Sequence, residues 1–250
     1  MQSSRKCPRP TSFAKFDRCR SHDCVCRLTC SDNFCCLKAG HLGLGIMQAL
    51  AEHETDSEKA RLLQDCAKRT FLKLPVSIDV PRLLQEYNAI PASAWGVSPW
   101  DVHCSINIIQ LRGGGTGTAD DFVTADVRDN PLLAQMPYFT SLLSPDGPFG
   151  GAIVASIART KPNGITRGHS DEDQFWERTV RVHVPIVTNP GAFLLCKQMA
   201  IHMRVGEAWS FDNQQWHSVV NGDAERVHML FDVNPNAKLA ALMRNAVLEP

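Results

Sequence analysis

A chain of 250 residues, 44% hydrophobic and 21% charged, carries enough apolar surface for one full core, and an α/β or all-β domain fits that length. Its 26 basic and 26 acidic residues cancel, which offers no electrostatic footprint for nucleic acid, an anionic membrane or a polyionic partner and leaves a small molecule as the expected ligand. Apolar runs of membrane-spanning length are absent from the sequence, so no membrane span is expected and the body reads as cytoplasmic.

Seven of the ten cysteines fall within the first 36 residues, without the apolar stretch of a signal peptide, so secretion and a disulfide framework have no support. The spacing Cys24-x-Cys26-x3-Cys30-x4-Cys35-Cys36 matches none of the paired C-x2-C zinc patterns. Residues 1–46 are expected to be a basic, cysteine-rich tail, either disordered or an extension outside the native protein, with zinc binding as the alternative. Residues 47–250 are expected to form one domain.

Within residues 47–69, Leu50, Leu62, Leu63 and Cys66 sit among charged residues, the pattern of an exposed amphipathic helix. Residues 71–76 read as a strand, and Asp79 is placed to cap a short helix through Pro81, Leu83, Leu84 and Tyr87. Strands are expected at 103–111 and 152–158, separated by the run Gly113-Gly114-Gly115-Thr116-Gly117 and by a helix at 132–143. The glycine run lacks the Gly-Lys-Ser/Thr ending of a phosphate-binding loop and reads as a plain loop. Beyond Lys161 come short segments rich in Val, Ile and Phe at 179–187, 192–195, 200–205, 208–211, 217–220 and 226–233, an all-β pattern spanning about 71–235. Asn234-Pro235 then offers an N-cap and first-turn proline for a closing helix at 236–247, with Leu239, Leu242, Met243 and Ala246 on one face.

His169 and Asp171 lie two residues apart, and in extended backbone such side chains point the same way, so they can share one metal. His217, 48 residues downstream at the start of another strand, is the natural third ligand. Two histidines and one carboxylate leave three adjacent positions open on an octahedral iron, which suit a bidentate keto acid and dioxygen. Along 226–233, Val227, Met229, Phe231 and Val233 share one face, so Arg226 and His228 point to the other. A guanidinium buried there needs a partner, and the distal carboxylate of 2-oxoglutarate can accept its paired hydrogen bonds. The same alternation at 179–184 sets Arg181 and His183 opposite Val180, Val182 and Val184. Arg181 and His228 are candidates either for the site or for structural pairing, and His183 for the site or a satisfied core imidazole. His22, His41, His53, His103 and His202 lack such company and are read as ordinary.

The ordered set His169-Ser170-Asp171, Arg181-Val182-His183, Gly206 to Asp212, His217 and Arg226-Val227-His228 resembles the aspartyl/asparaginyl β-hydroxylase family, nearest in flavour to its bacterial free-amino-acid hydroxylases of proline type. The match is strong over about 150–235, loose over 71–150 and absent before Met47. The resemblance implies a mainly β double-stranded β-helix (a cupin-like jelly roll) with flanking helices, and Fe(II), 2-oxoglutarate and O2 as cofactor and co-substrates. It implies iron on His169, Asp171 and His217, and 2-oxoglutarate held by Arg226 with help from Arg181 or His183. Arg159, on the strand leading to the first ligand, is a candidate substrate contact. The family's vertebrate endoplasmic-reticulum members lack the metal-binding carboxylate, so Asp171 favours a small amino-acid-like substrate over peptidyl aspartate.

Other readings use the same residues differently. A cupin-type metal enzyme without a keto acid gives Arg226 no role, and a non-catalytic jelly-roll binding module pairs Arg226 internally. Peptidyl aspartyl/asparaginyl hydroxylation is the alternative within the family. Trp209 and Trp216, near His217, either wall the pocket or serve packing.

Overall fold

The computed structural model describes residues 70–114, 127–172 and 174–248. The tail at 1–46, the helix expected at 47–69 and residues 115–117 of the glycine run lie outside them.

In chain order the elements are β1 (Phe71–Leu74), α1 (Val80–Asn88), β2 (Gly96–Val97), β3 (Ile106–Gly113), β4 (Arg128–Asp129), α2 (Pro137–Leu143), β5 (Ala152–Thr160) and β6 (Ile165–His169). There follow α3 (Gln174–Arg178), β7 (Val180–Val187), β8 (Phe193–Cys196), β9 (Met199–Ile201), β10 (Ala208–Phe211), β11 (His217–Val220), β12 (Arg226–Val233), α4 (Ala237–Arg244) and β13 (Val247–Leu248). Among the described residues they build two antiparallel sheets, a large one in the order β13-β1-β10-β7-β12-β5-β3-β2 with β4 also on β3, and a small one in the order β6-β11-β8-β9. The architecture is the mainly β jelly roll expected. None of the described helices is long and apolar enough to cross a membrane.

Strand alternation divides the core into two layers. Val180, Val182, Val184 and Ile186 of β7 and Val227, Met229, Phe231 and Val233 of β12 face outward from the large sheet. There they meet Leu83 of α1, Phe139 and Leu143 of α2 and Leu239 and Met243 of α4. Phe231 is fully buried, with its ring centroid 4.9 Å from that of Phe149, and such burial contributes roughly 1.5–3 kcal/mol per large side chain. Between the sheets Phe71, Leu194, Met203, Trp209, Phe211 and Val219 form a smaller cluster. The remaining space between the sheets is the cavity described below.

Local chemistry moves several boundaries from their sequence expectations. The helix expected at 132–143 is two pieces, a 3-10 turn Pro131–Gln135 capped by the Asn130 side chain and then α2, because Pro137 supplies no N–H and disfavours helical geometry at Met136. The closing helix is capped by Asn236, whose side chain accepts from Leu239 N at 3.0 Å, so Asn234-Pro235 lie one step before the cap. The strand expected at 200–205 ends at Ile201, and that expected from 103 begins at Ile106. Strand β6 is separated from β5 by a turn with Asn163 in the left-handed region (φ 56°), which returns the chain towards the small sheet.

Candidate active site

Antiparallel pairing of β6 with β11 places His169 opposite His217, with ring centroids 4.3 Å apart. Trp216 packs over Gly168 so closely that a Cβ there would lie 2.6 Å from the indole, so any larger residue beside the first histidine would displace that ring. Asp171 follows β6, and its N–H donates to the Asn213 carbonyl at 3.0 Å, tying it to the loop before β11. The three candidate ligand atoms all lie within 4.8 Å of one another, a grouping suited to one metal ion.

The surrounding hydrogen bonds prepare each atom for that task. The Nδ1–H of His169 donates to the Arg167 carbonyl (2.8 Å) and that of His217 to the Gln215 carbonyl (2.9 Å), since a carbonyl only accepts. Both Nε2 lone pairs are therefore bare. Burial, with the neighbouring His169 and Arg181 adding to it, pushes His217 down to about 4 despite the opposing pull of Asp171, so its ring is neutral at physiological pH. Asp171 Oδ2 accepts from Arg181 Nη1 (2.7 Å) and Asn213 Nδ2 (2.8 Å), while Oδ1 lies 3.5 Å from His169 Nε2. Burial alone would raise the Asp171 carboxyl, but Arg181 and the Asn213 hydrogen bond outweigh it and hold it below its ordinary value. One oxygen is thus locked and the other left for a cation.

Arg181 is not a free handle for a co-substrate. Its Nε and Nη2 donate to the two oxygens of Asp232 at 3.0 and 3.2 Å, its Nη1 to Asp171, and its guanidinium stacks on Trp176 at 4.1 Å. Two carboxylates share its charge and raise it above its usual value against the cost of burial. Its position on β7 beside Asp232 of β12 makes it a brace for Asp171.

Arg226 is the opposite case. It is 5% exposed, its Nη2 lies 3.1 Å from His228 Nδ1, and no carboxylate reaches it among the described residues. Burial pushes it down to about 10, with no charge nearby to oppose that. His183 lies beside it with both ring nitrogens buried and unpartnered, and His228 Nε2 and Ser210 Oγ are unpartnered as well. Burial and then Arg226 hold both imidazoles well below their usual value, hence neutral. A positive charge and orphaned polar groups clustered in a dry interior fit an anionic ligand that brings acceptors of its own.

These groups line one cavity of ≈ 360 Å³ between the sheets, with the triad, Arg226, His183 and Arg181 all on its wall. His103, Trp100 and Trp176 line it too, although no sequence pattern singles out His103 or either tryptophan. Arg159 does not reach it. Ser156 and Ala158 are the cavity face of β5, so Arg159 falls on the opposite face, where it stacks on Trp95 at 4.0 Å and lies 3.7 Å from Glu225. Trp209 and Trp216 serve packing: Trp209 is buried with Nε1–H donating to Glu207, and Trp216 covers Gly168 from outside at 66% exposure.

The family model for aspartyl/asparaginyl β-hydroxylases matches residues 118–235, a span that contains the triad, Arg181, His183 and Arg226. Over that span, just under half of its length, the chain is similar to this family. A curated relative, L-proline cis-4-hydroxylase of Rhizobium meliloti, is 23% identical over 175 residues, covering 68% of this chain and 62% of its own length. The chain thus spans less than two thirds of that relative. A solved oxidoreductase of the 2OG-Fe(II) oxygenase family from Burkholderia pseudomallei superposes with a TM-score of 0.52 at 12% identity, covering 74% of this chain and 95% of that one. At that identity the likeness speaks for the shared fold alone.

Proposed function

We propose that the protein is an Fe(II)- and 2-oxoglutarate-dependent hydroxylase of a small, amino-acid-like substrate. The observation that carries this reading is Arg226, a buried guanidinium without a counter-charge, in the same cavity as a His-Asp-His cluster. A divalent cation and Arg226 together supply three positive charges, Asp171 removes one, and the two that remain match a dicarboxylate. His169, Asp171 and His217 hold the metal, and Arg226 takes the distal carboxylate of 2-oxoglutarate. His183 beside it gains the acceptor it lacks.

Bound iron with 2-oxoglutarate and O2 supplies oxidative decarboxylation to succinate and CO2, coupled to hydroxylation of a substrate C–H bond. The protein's own work is positioning and exclusion of water. Arg181 and Asn213 fix Asp171, the backbone carbonyls of Arg167 and Gln215 fix the two imidazoles, and Phe211 and Leu194 add apolar surface to the cavity wall. A cupin-type enzyme without a keto acid leaves the Arg226 charge unexplained. The proline hydroxylase relative supports a free amino acid as substrate. Purified protein with Fe(II), ascorbate and 2-oxoglutarate is expected to release succinate faster when a suitable amino acid is added. No succinate with any of the common amino acids or short peptides would sink the proposal.

A further inference from the structure

Three of the imidazoles in the cavity are set by their hydrogen bonds into opposite tautomers. His169 and His217 give Nδ1–H to backbone carbonyls and present a bare Nε2. In His103 the partner of Nδ1 is instead the hydroxyl of Ser98, at 2.6 Å. Ser98 is 8% exposed, and its hydroxyl has no other partner among the described residues. The arrangement that leaves no buried hydroxyl proton unpaired is Ser98 Oγ–H donating to Nδ1, which puts the ring hydrogen of His103 on Nε2. That Nε2–H makes no hydrogen bond among the described residues. It is also absent from the sealed, unpartnered polar atoms, so it opens onto the cavity that His103 lines.

The ring is firmly held. The backbone of His103 bridges Thr166 of β6, Arg167 N–H donates to the Val102 carbonyl at 2.9 Å, and the ring stands edge-on to Trp100 (5.4 Å) and His169 (6.4 Å). A donor is thus aimed into the cavity one ring away from a metal ligand, yet its tautomer unfits it to be a ligand. The two cavity arginines have other employment, Arg181 with Asp171 and Asp232, and Arg226 with the keto acid. A small amino acid entering beside the metal brings a carboxylate that needs a donor, and an aliphatic part that suits Trp100, Val102, Ile106 and Ile108 on the same wall.

We propose that His103 binds the substrate's carboxylate through Nε2–H, with Ser98 as the positioning residue that fixes its tautomer. This rests on the hydroxylase reading above. Loss of a hydrogen bond to a charged acceptor costs roughly ten- to hundredfold in affinity.

The test uses the full chain loaded with Co(II) and 2-oxoglutarate, titrated with L-proline and with pyrrolidine, which lacks the carboxylate, and then with each other common amino acid against its decarboxylated amine. The change in Co(II) absorption reports occupancy. The wild type is expected to prefer an amino acid over its amine by roughly tenfold or more. His103→Phe is expected to bring that ratio near one, His103→Gln to keep most of it because its amide N–H replaces Nε2–H, and Ser98→Ala to fall between. If His103→Phe does not fold, the contrast between His103→Gln and Ser98→Ala carries the test. An undiminished ratio in folded His103→Phe, a ratio in His103→Gln lower than in Ser98→Ala, or no preference for any amino acid in wild type overturns the inference. Wild type that binds metal and 2-oxoglutarate but no amino acid overturns it while leaving the keto-acid reading standing. Failure to bind 2-oxoglutarate at all would overturn that reading as well.

Discussion

At one end of the cavity the protein supplies its own partners: Asp171 Oδ2 is held by Arg181 and Asn213, and both metal-facing histidines are anchored through Nδ1 to backbone carbonyls. At the other end Arg226 meets a neutral imidazole, and among the described residues His183 has no hydrogen-bond partner on either nitrogen. The first end is preorganised for a bare ion, which contributes charge and no hydrogen bonds. The second leaves donors unmade, at about 1–3 kcal/mol for each buried group, until a polyatomic anion satisfies them. Both ends grow from neighbouring strands, since Arg181 and His183 share β7 while Arg226 and Asp232 share β12. Acidic neighbours within reach of Arg181, and none within reach of Arg226 among the described residues, separate the two arginines.

The largest effect that tests this contrast is expected from Asp171→Ala. Metal affinity, read by Co(II) calorimetry, should fall beyond the ~100-fold that loss of an outer partner produces, and succinate formation should vanish. Retained turnover would mean that two histidines suffice to hold the metal. Next comes Arg181→Met, which leaves Asp232 buried without its counter-charge. It is expected to destabilise the fold by ~3–5 kcal/mol in urea unfolding. It should also weaken metal binding by about 10- to 100-fold, with 2-oxoglutarate affinity less affected. The reverse pattern would make Arg181 the co-substrate handle and erase the difference between the two ends.

A smaller effect is expected from pH on the metal-free protein. His103 and His217 are both lowered to about 4, burial being the main cause, whereas the unfolded chain titrates near the ordinary histidine value of about 6.5. Between these values the unfolded state binds more protons at these two positions, so the stability they contribute falls as pH drops from about 6.5 towards 4. Saturating Co(II) should flatten the slope contributed by His217. A slope of opposite sign would mean that these rings are charged in the fold. The smallest effect is expected from Arg159→Ala, which should leave the KM for 2-oxoglutarate and for substrate within about twofold, because the side chain sits on the far face of β5 against Trp95. A large rise in KM would place it back in the site.

Alternation made much of the site legible in the sequence. The parity of 226–233 and 179–187 sets Val, Met and Phe on one face and Arg226, Arg181 and His183 on the other, and the fold turns the first face to the helices and the second to the cavity. Parity also had the means to exclude Arg159, since Ser156 and Ala158 alternate with it, but direction along a strand of mostly small apolar residues cannot be read without knowing which face is the cavity. Partnerships were not legible. Nothing in sequence spacing shows that Asp232, 51 residues from Arg181, neutralises it, or that Ser98 turns the His103 ring. His103 lacks a strand pattern of its own because it sits just before β3 and is placed by its bridge to Thr166. The misplaced helix cap came from two cap-forming asparagines either side of Pro235, Asn234 and Asn236, of which the second has its side chain directed at the first turn.

Equilibrium binding of 2-oxoglutarate to wild type and Arg226→Ala, with and without Co(II), tests the central claim most directly. Binding is expected to depend on the metal and to fall by roughly 30-fold or more in the variant, in keeping with ~2–5 kcal/mol for one partner of a buried charge pair. Unchanged affinity on removing the Arg226 guanidinium from a folded protein would contradict the account.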